Sequence, residues 1–155
     1  MEMFSEEYYV EDARVRLDCQ AEGKIDRILA NTSFLTYIIA GVQLFKGRSK
    51  PRPDVLWRRV PEPRSLSYRG GVLTIRGEWG EGEVQKLIIP LLKRELEKQG
   101  LHAFHAAVAK YKGRNIMFMT GEENHGKTMS LIECCRRGGR MMGAESIICD
   151  EKEGD

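Results

Sequence analysis

Eight consecutive residues carry the types and spacing that chemistry on a phosphate group requires: Gly121, Glu122, Glu123, Asn124, His125, Gly126, Lys127 and Thr128. They match G-x-x-x-x-G-K-[ST], the phosphate-binding loop signature. The two glycines let the backbone turn through positive φ, so that successive N–H groups converge on phosphate oxygens. A helix starting at the end of the loop adds the positive end of its dipole. Lys127 would then reach the β- and γ-phosphates, and the Thr128 hydroxyl would ligate Mg²⁺. Gly121 to Met129 are therefore the candidate nucleotide-binding residues. Glu122 and Glu123 put two carboxylates where an anion must sit. The backbone does the cradling, so these side chains can point outward at some cost in affinity.

The signature needs a strand before it and a helix after it, and the flanking residues supply both. Ile116-Met117-Phe118-Met119 is a short apolar run suited to a buried strand, and residues from Met129 onward have the spacing of an amphipathic helix. Upstream, Ala103 to Tyr111 reads as a strand, Lys112-Gly113-Arg114 as a tight turn and Asn115 to Thr120 as its antiparallel partner. Glu81 to Gln99 is the clearest amphipathic helix elsewhere, with Val84, Leu87, Ile88, Leu91, Leu92 and Leu96 on one face and Gly100 ending it. Pro90 either kinks this helix or starts it. Ala13, Val15, Leu17 and Cys19 alternate with Arg14, Arg16 and Asp18, as in a strand with one buried face. Residues 24–45 are helical on balance, with Ser33 able to cap a second helix, although Tyr37-Ile38-Ile39 also permits a strand. Val55 to Val60, Ser65 to Tyr68 and Val72 to Trp79 read as short strands of a meander or hairpin, broken at Pro61, Pro63 and Gly70-Gly71. Trp57 and Trp79 suit core or edge packing better than a stacking platform.

Composition bounds the rest. A chain of 155 residues, 41% hydrophobic and 31% charged, has the make-up of an ordinary globular protein and is most simply one domain. Its formal charge of +2 is too balanced to imply a nucleic-acid or membrane partner by itself. No apolar run reaches the length of a membrane span, and the acidic start MEMFSEEYY lacks the basic region of a signal peptide, so a cytoplasmic location is expected. The four cysteines have neither C-x-x-C nor zinc spacing and are expected to be reduced and buried. Residues 46–54, KGRSKPRPD, form a basic loop beside Trp57, Arg58 and Arg59. It could hold phosphate or nucleic acid, but a solvated connector is the simpler reading.

The string LHAFHAAVAKYKGRNIMFMTGEENHGKT, followed by Arg137-Gly138 and RMMGAESIICDE, resembles the kinase core of HPr kinase/phosphorylase, within the P-loop branch that includes phosphoenolpyruvate carboxykinase. The resemblance covers about the last third of the chain. It implies an α/β fold: a P-loop nucleotide-binding core with a mixed sheet over 101–155, preceded by an α+β part over 1–100 of the same domain. It also implies a role near the phosphates for His105, which matches the family's histidine before the loop. Taken alone, a histidine on an apolar strand is more often a satisfied core residue. The family commonly has an aspartate pair after the Arg-Gly close, where this chain has Ala144 and Glu145. Glu145 then becomes the metal-binding acid, and alanine takes the place of the general base. Asp150 is a second metal candidate, since Ile147-Ile148-Cys149-Asp150 has the form of an apolar strand ending in an acid. For both acids the plain alternative is a solvated carboxylate in a charged tail. The family's chain continues well past this point, which implies a fragment, a degenerate member or a protein completed by a partner.

The expectation is an ATP-binding P-loop protein acting with Mg²⁺, transferring a phosphoryl group to a protein serine or a small hydroxyl acceptor. Lys127, His105 and Glu145 are its catalytic candidates, and Thr128, Glu145 and Asp150 its metal candidates. A nucleotide-binding module without catalysis is the alternative, favoured by Ala144 and the acidic loop. A nucleic-acid-dependent ATPase using residues 46–59 is a third reading, although nucleic acid is not an expected partner on charge alone.

Overall fold

The computed structural model describes residues 1–119 and 126–151. The chain is mixed α/β and separates into two compact units, Met1–Gln99 and Gly100–Asp155. Among the described residues, no helix is long and apolar enough to cross a membrane.

The first unit is a mixed six-stranded sheet in the order β3-β1-β2-β4-β6-β5. A tight turn at Glu11-Asp12 joins β1 (Glu2–Val10) to β2 (Ala13–Ala21) as an antiparallel hairpin. The short helix α1 (Ser33–Ile38) and strand β3 (Gln43–Phe45) follow, with β3 on the free side of β1. Strand β4 (Val55–Arg58) lies parallel to β2 and to β6 (Val72–Arg76), and β5 (Ser65–Arg69) completes an antiparallel hairpin with β6. Of the meander or hairpin expected over 55–79, the structure has the hairpin. Only β5 and β6 form a hairpin, because Pro61 and Pro63 carry the chain out past β6 before it returns. Gly70 and Gly71 both take positive φ, 58° and 83°, which is the backbone a two-residue hairpin turn requires.

Helix α2 (Glu81–Glu97) packs on β2. Val84, Ile88, Leu92 and Leu96 recur every four residues and are fully buried, against the same core as Val15, Leu17, Trp57 and Ile75. Pro90 lies inside this helix but on its exposed face, so the ring projects into solvent while the buried stripe stays continuous. The expected helix over 24–45 shrinks to six residues. Ile28 and Leu29 are buried from an irregular segment, because the buried Glu6 carboxylate accepts their N–H groups at 3.0 and 3.4 Å and replaces a helical turn.

The opposite sheet face, at β1 and β2, is polar and buried. Arg16 donates through Nε and Nη2 to both carboxylate oxygens of Asp18, at 2.8 and 2.7 Å. Glu7, fully buried, accepts the Ser49 N–H at 2.5 Å, the Lys50 N–H at 2.9 Å and the Ser49 hydroxyl. Lys50 reaches Asp54 at 2.8 Å, Asp54 accepts the Arg16 N–H, and Arg48 donates to the Ser5 hydroxyl. The basic loop 46–54 is therefore bolted to the sheet by buried carboxylates. Three of its cations, Lys46, Arg48 and Lys50, are already engaged within the protein.

In the second unit β7 (Leu101–Tyr111) is central. Its Lys112-Gly113 turn, both residues at positive φ, leads to the antiparallel β8 (Arg114–Met119). Strand β9 (Arg140–Gly143) pairs with β7 at the same stretch as β8, and β10 (Ser146–Asp150) continues along the other half. Strands β8 and β9 thus flank β7 and run parallel to each other, joined by the crossover helix α3 (Lys127–Arg136). Ala107, Ala109 and Leu131 form the buried core, with Phe118, Cys134, Cys135 and Ala144 packed around it. Two alanines on β7 let the helix approach the strand closely.

Candidate functional site

The site grows from the start of α3. Gly126 caps the helix with φ 81° and ψ 8°, a left-handed conformation that costs a glycine little. A Cβ there would meet nothing within 4 Å, so the conformation alone calls for glycine. Lys127 is the first helical residue, ahead of the expected start at Met129, and the N-cap residue, Gly126, has no side chain with which to cap it. The leading N–H groups of α3 consequently have no helical acceptor, and no acidic residue lies in the first turn to offset the dipole. Thr128 is exposed on that turn.

Strand β7 brings His105 to the same place. His105 shares the face of β7 that carries Ala107 and Ala109 toward α3, because alternate strand residues face one side. Its Nε2 contacts the Lys127 ammonium. Its Nδ1 lies 2.8 Å from the Glu145 carbonyl oxygen and 3.7 Å from that residue's carboxylate. Lysine can only donate, so Nε2 is the acceptor and Nδ1–H donates to the carbonyl. The imidazole is thereby held as one tautomer, with its basic nitrogen under the lysine. His105 and Glu145 are substantially exposed, at 58% and 38% of their side chains, so a soluble ligand has access.

Of the residues singled out from sequence, the structure gathers Lys127, His105 and Glu145 beside Gly126 and Thr128. Gly121, Glu122, Glu123, Asn124 and His125 lie outside the described residues. Asp150 is elsewhere: β10 pairs Ser146 with His105 and Asp150 with Leu101. Five residue steps of extended chain separate Asp150 from Glu145, roughly 16 Å along the sheet, so the two acids cannot share one Mg²⁺. Ala144, in the place of the family's aspartate, packs against the core under α3, where a carboxylate would be desolvated. No three His, Cys, Asp or Glu side chains cluster to hold a metal among the described residues. All four cysteines are free, but only Cys19 is buried, while Cys134, Cys135 and Cys149 are half-buried. The expectation of four buried thiols is corrected on that point.

A protein-family match would bear on this geometry. No family model matches the chain, and no match was found among curated proteins or solved structures.

Two features of the site had no advance signal. The Glu145 backbone carbonyl orients His105, and backbone groups are invisible to residue patterns. An open cleft of about 560 Å³ also runs along α3 from Met129 in its first turn to Arg137 at its end, lined further by Ile116, Phe118, Glu133 and Cys134. Its members lie on two elements that only the fold brings together.

Proposed function

We propose that the Gly100–Asp155 unit binds a nucleoside triphosphate, ATP with Mg²⁺, at the start of α3, and that the protein is an HPr kinase-like phosphotransferase acting on a protein serine or a small hydroxyl. The observation that carries this reading is the contact of Lys127 with His105 at the N-terminus of a helix that starts after a glycine. A cation, the leading N–H donors of the helix and its dipole converge there, a combination that suits phosphate oxygens.

The protein's own groups have clear parts in such a reaction. Lys127 leaves His105 to pair with the incoming phosphates, which returns the Nε2 lone pair to the site. With Nδ1–H held by the Glu145 carbonyl, Nε2 is positioned to take the proton of an attacking hydroxyl as general base. This arrangement answers the loss of an acid at Ala144, because the base comes from β7. Mg²⁺ bound to ATP phosphates needs only one or two protein oxygens, and the Thr128 hydroxyl and the Glu145 carboxylate are of the right hard-oxygen type. Bound there, it would neutralise charge on the β- and γ-phosphates. The apolar cleft beside Met129 and Ser130 has room for a nucleoside.

The reading is tested by titrating the protein with ATP and with inorganic tripolyphosphate, each with Mg²⁺, and then following phosphate transfer. Saturable binding of both ligands, with slow phosphate release that His105→Asn removes while binding persists, is the expected result. Binding without turnover in the wild type would select the non-catalytic module, which the core placement of Ala144 favours. Binding of neither ligand would end the nucleotide reading.

A further inference from the structure

Away from α3, the larger sheet carries a second concentration of unpaired positive charge. Strands β2, β4 and β6 run parallel, and their register places Gln20, Arg58 and Arg76 in one row. Trp57 and Ile75 are buried in the core beneath α2, so Arg58 and Arg76, their neighbours in sequence, belong to the opposite face. The two arginines are the last residues of β4 and β6, on Cα positions about 4.8 Å apart. Like charges set side by side on a sheet are destabilising unless an anion offsets them.

The protein supplies no such anion there. Among the described residues, neither guanidinium enters an ion pair. Asp18, one row away on the same face, has both carboxylate oxygens bonded by Arg16. Arg76 is exposed, while Arg58 is half-buried and its Nε is shielded from solvent with no hydrogen-bond partner. The Arg58 guanidinium has thus lost part of its hydration without compensation from the protein. An anion that takes its terminal nitrogens displaces less water than at a free arginine, and meets a side chain already held by its neighbours.

We propose that Arg58 and Arg76 form a binding site for a phosphate monoester dianion, seated directly over the pair on the open face of the sheet. The three terminal oxygens of a phosphoryl group accept from two guanidinium forks at once, whereas the two oxygens of a carboxylate are filled by one. The double charge of the monoester also equals that of the pair. Gln20 beside Arg58, and Thr74 two residues before Arg76 on the same face, border the site with uncharged hydrogen-bonding groups. A phosphodiester carries only one charge. A single-stranded nucleic acid would seek stacking rings, and neither this row nor Leu56 and Thr74 in the next supplies one. The site belongs to the Met1–Gln99 unit and is independent of nucleotide binding at α3.

The test titrates methyl phosphate into the isotopically labelled full chain at low salt and follows backbone amide shifts by NMR, which separates this site from the start of α3. Saturable shifts at 56–58 and 74–76 are expected at pH 7. They require several-fold more ligand at pH 5, where the monoester, with a second pKa of about 6, has regained a proton. Dimethyl phosphate, a diester of single charge, binds at least about tenfold less tightly. Arg76→Gln, at an exposed position that spares the fold, weakens methyl phosphate binding by about tenfold or more, and Arg58→Gln does the same. Arg52→Gln on the 46–54 loop leaves it unchanged, and circular dichroism checks that each variant is folded. Absence of saturable shifts at these residues, equal binding of the diester, indifference to Arg76→Gln, or tighter binding of an RNA oligonucleotide through the same arginines would each overturn the proposal.

Discussion

Replacing Glu7 by Gln probes how the polar face of the larger sheet is held. The wild-type carboxylate is fully buried and accepts two N–H groups and one hydroxyl from Ser49 and Lys50. Burial alone would raise the Glu7 carboxyl, but the hydrogen bonds from Ser49 and Lys50, with help from Arg14, hold it below the ordinary carboxylate range. Glutamine keeps one acceptor and turns an NH₂ group toward donors, so at pH 7 the variant should lose about 2–4 kcal/mol of stability. The sign of the pH effect follows from the lowered carboxyl. Its stabilisation is complete above the unfolded pKa and disappears as pH falls through the folded one. Urea unfolding followed by tryptophan fluorescence is the right assay, because Trp57 and Trp79 both belong to the Met1–Gln99 unit. The gap between wild type and variant should be widest at neutral pH and narrow as the pH falls into the acid range. A gap that is constant with pH, or smaller than about 0.5 kcal/mol at pH 7, would refute the view that this carboxylate anchors the loop.

Other outcomes follow from the same packing. Burial pushes the Cys19 thiol up to about 12, so a thiol reagent at pH 8 should label Cys134, Cys135 and Cys149 in the native protein and reach Cys19 only on unfolding; early loss of all four thiols would contradict it. Leu131→Ala removes the largest member of a three-residue core and should destabilise the Gly100–Asp155 unit by about 2–4 kcal/mol, read by amide exchange in β7. Gly71→Ala meets no atom within 4 Å but must hold φ at 83°, so thermal unfolding should show a loss of about 1 kcal/mol arising from the backbone alone.

What could be read in advance depended on how local the cause was. Helix α2 was legible because Val84, Ile88, Leu92 and Leu96 repeat at helical spacing, and two hairpin turns because Gly70-Gly71 and Lys112-Gly113 demand positive φ. Strand β1 was not, since Glu6 and Glu7 are buried on opposite faces and the usual polar-apolar alternation disappears. The parallel placement of β4 between β2 and β6 depends on partners far along the chain, which no local pattern encodes. At the site, Lys127 could be named from spacing, whereas its meeting with His105 required the β7–α3 packing. Asp150 has the right apolar run before it, and only the β7–β10 register separates it from Glu145.

The central claim is that Lys127 and the start of α3 receive a polyphosphate. Calorimetric titration of Mg·ATP into wild type and Lys127→Ala tests it most directly, because Lys127 contacts the exposed His105 and lies outside the buried core, so its loss should leave the fold intact. A drop in affinity of at least about tenfold, with unchanged thermal stability of the unliganded protein, is the predicted result. Equal affinity in the two proteins would contradict the account.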